Sequence, residues 1–135
     1  MLELRLSELA QSLGVACESG DAVVTGLAID SRAVKPGDLF VAIDGEHVDG
    51  HDFIDKALDN GAAAIACTRR IDVASPHIKA ADSHQVCANY GQLIRGRFHG
   101  SVIGITGSAG KTTAKSFLES ICGRAGKTVA TVGNQ

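Results

Sequence analysis

Hydrophobic residues recur at two different spacings along the first hundred residues. Near the start they fall at helical spacing, at Leu6, Leu9, Ala10 and Leu13. This pattern predicts a short helix that Ser7 caps and Gly14 ends. Apolar runs at residues 22–29 and 38–43 predict two strands, and the KPGD sequence between them predicts a tight turn.

The same two spacings continue in the following segments. A polar loop precedes an apolar helical face that consists of Phe53, Ile54, Ala57 and Leu58. Gly61 can end this helix, and residues 62–67 and 77–80 predict two more strands. Asp82 or Ser83 can cap the next helix. The inward face of that helix consists of Val86, Tyr90, Leu93 and Ile94. Strands that alternate with helices predict an α/β layer fold.

The helical pattern ends near residues 96–100, and we expect a domain boundary there. The domains would be residues 1–98 and residues 99–135. The second domain begins with a predicted strand at residues 101–106 and closes with one at residues 127–132. The helix between them carries an apolar stripe of Ala114, Phe117, Leu118, Ile121 and Cys122. A single βαβ unit leaves its parallel strands uncovered, so we expect this domain to be incomplete.

Composition points to a packed globular protein. The 135 residues are 44% apolar and 21% charged, and the net charge is −2 with both signs interspersed. No apolar run reaches the roughly 18 residues that a membrane helix needs. The cysteines are dispersed, at Cys17, Cys67, Cys87 and Cys122. We therefore expect a cytoplasmic protein with reduced thiols that binds neither nucleic acid nor a membrane.

The sequence GITGSAGKTTAKSF at residues 104–117 is typical of a phosphate-binding turn, or P-loop. It follows an apolar run and opens an amphipathic helix, so the positive end of the helix dipole would face an anion. Ile105 occupies a position where the usual pattern has glycine. We predict that ATP is bound by Thr106, Gly107, Ser108, Ala109, Gly110, Lys111, Thr112 and Thr113. Lys111 and Thr112 are the predicted catalytic residues: Lys111 contacts the outer phosphates, and Thr112 ligates Mg²⁺. The alternative is a glycine-rich turn whose lysine lies in solvent.

A longer segment carries a family resemblance. The sequence DSRAVKPGDLFVAIDGEHVDGHDFIDKALDNGAAAIA at residues 30–66, followed by ITGSAGKTTAK, resembles the amino-terminal part of the Mur ligases of bacterial cell-wall synthesis. Within that family, T-G-S-x-G-K-T followed by Lys115 resembles the branch that adds D-alanyl-D-alanine. The branch that adds the third peptide residue typically has T-G-T-N-G-K-T, which Ser108 and Ala109 do not match. Ser116 departs from the acidic residue common after that lysine.

The resemblance implies a reaction, its cofactors and its substrates. ATP would phosphorylate the terminal carboxylate of a UDP-N-acetylmuramoyl-tripeptide, and the amine of D-alanyl-D-alanine would attack the acyl phosphate to form an amide. The family's enzymes have three domains: a UDP-substrate domain, a central ATPase and a carboxyl-terminal domain. This chain corresponds to the first domain and the start of the second. We expect a monomer that is inactive as these 135 residues alone.

The resemblance also implies a pocket for uridine and the diphosphate, formed by two loops. The residues implied are Ser31, Arg32, Gly45, Glu46, His47, Asp49, Gly50 and His51. Both loops follow predicted strands, where α/β folds carry ligands. A purely structural role stays open for each residue. Asp30 or Ser31 can form a turn. Arg32 can pair with Asp38, and Asp49 can shape its loop. A metal site in the second loop is not predicted, because zinc ligands show stricter spacing.

Two other functions are compatible with the residues. One is a UDP-sugar sensor built from the same two units without catalysis. The other is an unrelated P-loop kinase or ATPase, in which residues 30–66 would be scaffold.

Overall fold

A computed structural model of the protein describes residues 2–132. The chain divides into two compact units, the first ending at His99 and the second beginning at Gly100. None of the helices in the described part of the chain has the length and apolar character needed to cross a bilayer.

The first unit is a mixed α/β structure. Its strands are Leu4–Arg5 (β1), Cys17–Glu18 (β2), Val23–Val24 (β3), Gly26–Ala28 (β4), Asp38–Val41 (β5), Ala64–Cys67 (β6) and His77–Lys79 (β7). Its helices are Leu6–Leu13 (α1), Ile54–Asp59 (α2) and Ser83–Arg97 (α3), with a 3-10 turn at Gly50–Phe53 before α2. The predicted α/β class is confirmed.

Five of these strands form one sheet in the order β2-β7-β6-β5-β4. The four strands from β7 to β4 are parallel, and β2 joins the edge at β7 as an antiparallel strand. The other two strands, β1 and β3, form a separate antiparallel pair. Because parallel strands share a direction, the loops that follow β4, β5 and β6 leave the same edge of the sheet.

Apolar residues cover both faces of the sheet. Alternate residues of β5 point to opposite faces: Leu39 and Val41 join a core with residues of α1 and α3, and Phe40 joins a second core with residues of α2. The same alternation in β6 places Ala64 on the first face and Ile65 on the second. The helices therefore anchor the sheet from both sides, as parallel sheets require.

Two local predictions in this unit are wrong. Ser7 does not cap α1; instead its backbone N–H and its hydroxyl both donate to the carboxylate of Asp21, at 3.0 and 2.8 Å. The predicted strand at residues 22–29 is split into β3 and β4. The split falls at Thr25, whose N–H donates to Gly37 at 2.9 Å. The chain changes strand partner there, which a single apolar run does not reveal.

Within residues 100–132, the second unit contains one helix, Lys111–Ala125 (α4), as the sequence predicts. The predicted strands at residues 101–106 and 127–132 are wrong: both segments are irregular. A strand needs a neighbouring strand to accept and donate its backbone hydrogen bonds, and no described segment of this unit pairs with either. The apolar stripe of α4 is correspondingly exposed, with Phe117 at 69% and Ile121 at 55%.

Candidate functional site

Three loops that carry polar residues leave the carboxyl edge of the parallel sheet, and contacts join the second of them to the third. The first follows β4 and contains Asp30, Ser31 and Arg32; the second, residues 44–52, follows β5; the third begins with Thr68 after β6. The residues implied for the UDP pocket lie in the first two loops. The third loop was not predicted to contribute.

The first loop is held by a turn between neighbours. Asp30 accepts the backbone N–H of Arg32 at 2.9 Å, and its two carboxylate oxygens accept Nε and Nη2 of the same arginine. Arg32 therefore pairs with Asp30 and not with Asp38, and the turn considered from the sequence is present. Ser31 is buried, and its carbonyl oxygen accepts the side-chain amide of Asn60 at 2.8 Å.

The second loop closes on itself at its tip. The N–H of Gly45 donates to the carbonyl of Val48 at 3.0 Å, and that of Gly50 donates to Ile43 at 2.8 Å. A Cβ at position 50 would lie 2.6 Å from the Ile43 nitrogen, so only glycine fits there. The side chains of Glu46 and His47, which lie between Gly45 and Val48 in the sequence, are exposed. The tip is thus an ordered turn whose side chains are available to a ligand.

His51 ties the base of this loop to the third loop. Its side chain is only 2% exposed. Its Nε2 accepts the backbone N–H of Thr68 at 3.1 Å, so that nitrogen carries no proton and the ring proton is on Nδ1. Nδ1 lies 2.7 Å from Asp49 Oδ1 and 3.1 Å from Asp44 Oδ1. Because both ring nitrogens are engaged by the protein, His51 shapes the loop.

The third loop adds two residues that sequence reasoning missed. The Thr68 hydroxyl donates to Asp44 Oδ2 at 3.1 Å, and Arg69 Nη1 lies 2.5 Å from Asp49 Oδ2. The available signal was their position directly after the predicted strand at residues 62–67, at the edge where the other two loops emerge. Nothing in the sequence marked them as partners of Asp44 and Asp49.

Asp44, Asp49 and His51 bring three possible ligand atoms within 4.8 Å of one another. This donor set does not suit a metal ion. His51 presents a protonated Nδ1 to the carboxylates, and its other nitrogen is used by Thr68. Arg69 already offsets the charge of Asp49. The cluster joins the second loop to the third through hydrogen bonds.

The predicted ATP-binding residues lie together in the second unit, in the turn before α4 and in its first helical turn. Gly107 and Gly110 have φ values of 152° and 79°, conformations that favour glycine. Ile105 has no positive φ, so glycine is not needed at the position where the usual pattern has one. The backbone N–H groups of Ser108 and Ala109 donate to no other described residue. The turn therefore presents amides next to a helix start, as anion binding requires.

Comparison with known proteins identifies the family. The sequence profile described as "Mur ligase family, catalytic domain" matches residues 23–94, more than half of the chain. The chain belongs to the Mur ligase family. Members of this family are ATP-dependent amide ligases of peptidoglycan synthesis.

Relatives from two branches of the Mur ligases are similar to the chain. The UDP-N-acetylmuramoyl-tripeptide–D-alanyl-D-alanine ligase of Escherichia coli is 33% identical over 99% of the chain and 30% of its own length. The UDP-N-acetylmuramoyl-L-alanyl-D-glutamate–2,6-diaminopimelate ligase of Listeria monocytogenes is 38% identical over 96% of the chain and 27% of its own length. The chain thus spans less than a third of these relatives.

Solved structures of Mur ligases share the fold. MurF from Acinetobacter baumannii matches with a TM-score of 0.77 and 29% identity, over 92% of this chain and 28% of that one. MurF from Thermotoga maritima, solved in complex with ADP, matches with a TM-score of 0.63 and 39% identity, over 75% of this chain and 24% of that one. An adenine nucleotide is therefore bound by a relative of similar fold.

Proposed function

We propose that this chain supplies the substrate-binding unit and the phosphate-binding turn of an ATP-dependent ligase that joins D-alanyl-D-alanine to a UDP-N-acetylmuramoyl-tripeptide. Residues 1–98 would bind the UDP-substrate, and residues 99–135 would begin the central ATP-binding domain of a cytoplasmic, monomeric enzyme. The observation that carries the proposal is that an α/β unit with three polar loops at one sheet edge precedes a glycine-rich turn at a helix start. The E. coli relative with this reaction in its name aligns with 99% of the chain.

The proposed chemistry uses both parts of the chain. A carboxylate oxygen of the tripeptide attacks the γ-phosphorus of ATP, the bond to ADP breaks, and an acyl phosphate forms. The amine of D-alanyl-D-alanine then attacks the acyl carbon, which gives the amide, releases phosphate and loses a proton. Lys111 offsets the negative charge that shifts during phosphoryl transfer. The first-domain loops hold the UDP end, so that the reacting carboxylate is oriented.

Magnesium suits the same turn. Thr112 lies in the first turn of α4, directly after Lys111, and its hydroxyl is the group of this chain that would hold Mg²⁺. The ion would supply positive charge to the phosphate oxygens. Thr113 and Ser108 are the supporting phosphate donors in this proposal.

The second candidate is the ligase that adds the third peptide residue. The 38% identity with the diaminopimelate ligase of L. monocytogenes over 96% of the chain favours it. The two candidates share ATP and the UDP group and differ in the peptide: the first takes a tripeptide and the second a dipeptide.

Calorimetric titration of the 135-residue chain tests both ligands. We expect the UDP-N-acetylmuramoyl-tripeptide to bind, because the first-domain loops hold its UDP group. Lys111→Met is expected to weaken ATP binding by at least about tenfold, because a charge-assisted contact to phosphate is lost. Lys127→Met, which removes an equal charge from an exposed residue beyond α4, is expected to leave ATP binding unchanged.

The outcomes separate a ligase from a sensor module. UDP-substrate binding without any ATP binding would favour a sensor module. Failure of the unsubstituted chain to bind either ATP or the UDP-substrate would overturn the proposal.

A further inference from the structure

Arg69 connects the third loop to the second. Its Nη1 lies 2.5 Å from Asp49 Oδ2, and its Nη2 lies 3.8 Å from Asp52 Oδ1. The side chain stays 54% exposed, so most of the guanidinium remains hydrated while one corner is fixed. The arginine therefore reaches from the end of β6 across to the loop that follows β5.

Asp49 is the residue through which Arg69 acts on the loop. One oxygen of Asp49 accepts both the backbone N–H and the Nδ1–H of His51, at 2.8 and 2.7 Å, and the other oxygen faces Arg69. These contacts, with the backbone N–H of His51 first, hold the pKa of Asp49 well below its usual range. Asp49 is thus a fixed anion with a partner on each side.

The charge of Arg69 matters because the loop is acidic. Asp44, Glu46, Asp49 and Asp52 all lie within residues 44–52. Without a cation beside them, these carboxylates would repel one another and also an anionic ligand at the same edge. Arg69 offsets this charge at the base of the loop, away from the exposed tip residues Glu46 and His47.

We infer that Arg69 is a positioning residue that acts through Asp49 to hold the loop at residues 44–52 in the arrangement that receives the diphosphate of a UDP-linked substrate. This inference rests on the proposed function of the sheet edge. In this inference Arg69 does not contact the ligand. Arg69 instead keeps the loop at residues 44–52 ordered and offsets its negative charge.

Substitutions in the full 135-residue chain test the role of Arg69. Arg69→Met is expected to weaken binding of UDP-N-acetylmuramoyl-tripeptide about tenfold by calorimetry, because the loop loses a charge-assisted contact. Arg69→Lys is expected to recover part of this loss, since it keeps the charge without the planar fork. The control is Arg70→Met, since the neighbouring Arg70 forms no ion pair within residues 2–132. It is expected to bind like the unsubstituted chain.

A double-mutant cycle separates positioning from direct contact. If Arg69 acts through Asp49, then Arg69→Met introduced together with Asp49→Asn is expected to weaken binding less than about twofold beyond Asp49→Asn alone. An arginine that touched the ligand itself would produce the same tenfold loss in both backgrounds, about 1.4 kcal/mol, and that result would overturn the inference.

A measurement without ligand distinguishes this inference from the proposed function. Arg69→Met is expected to speed amide hydrogen exchange at Gly45 and Gly50, whose N–H groups close the loop, and to leave Gly61 after α2 unchanged. Unchanged exchange at Gly45 and Gly50 would overturn the inference. Failure of the unsubstituted chain to bind the UDP-substrate would instead overturn the proposed function.

Discussion

The pair formed by Asp30 and Arg32 shows how neighbours in the chain fix the state of a carboxylate. Both side chains are largely exposed, yet the Arg32 side chain, followed by its backbone N–H, lowers the pKa of Asp30 to about 2. The folded pKa lies below the ordinary value of 3.8, so the associated stabilisation is present above that value. It is lost as the pH falls through about 2.

Replacing the arginine tests this contact. Arg32→Met is expected to raise the pKa of Asp30 towards its ordinary value, because the largest stabilising contact to the carboxylate is removed. The backbone N–H of residue 32 still donates to Asp30 in this variant, and it keeps the pKa of Asp30 somewhat below that ordinary value. The measurement is a pH titration of the Asp30 carboxyl carbon by NMR. Arg5→Met serves as the control, and an unchanged Asp30 titration in Arg32→Met would contradict the pairing.

At the scale of an element, α1 is capped from outside its own sequence. Asp21 lies in the segment that enters β3, and its carboxylate accepts the N–H and the hydroxyl of Ser7 in the first turn of α1. Partial burial works to raise the pKa of Asp21, but the hydrogen bonds from Ser7, Ala22 and Arg5 bring it below its ordinary value. The start of α1 is thus tied to the strand pair of β1 and β3.

Removing this cap is expected to destabilise the first unit. Asp21→Ala is expected to lower the free energy of unfolding by about 1 kcal/mol, the usual cost of losing a helix cap. Urea unfolding followed by fluorescence of Tyr90 measures it, because Tyr90 is the only tyrosine in a sequence without tryptophan. Asp72→Ala, at an exposed position, is expected to change stability by less than about 0.5 kcal/mol. Equal effects of the two substitutions would contradict the cap.

At the scale of the whole molecule, the sequence predicts the helices and strands that local patterns of apolar residues determine. The helices α1 and α3 and the strands β5 and β6 follow from apolar spacing, and the αL conformation of Gly14 ends α1 as predicted. Features that depend on contacts with residues distant in the sequence were not predicted. The split at Thr25 depends on two different neighbouring strands, and the ion pair of Arg69 with Asp49 joins loops that follow different strands. Whether the pocket and turn bind the ligands implied for them stays a prediction.

The first unit is expected to fold without the second. All residues of the two hydrophobic cores lie before His99, including every residue packed against them. A chain of residues 1–99 is therefore expected to unfold in urea as one cooperative transition, again followed by Tyr90. A broad, non-cooperative transition of that shortened chain would contradict the expectation that the first unit folds without the second.

The closed tip of the second loop has a consequence for protein engineering. Gly45 and Val48 are joined to each other by a backbone hydrogen bond, and the intervening side chains belong to neither core. Such a four-residue segment can be exchanged as a cassette. Libraries randomised at positions 46 and 47 would vary molecular recognition while the scaffold that displays them keeps its packing.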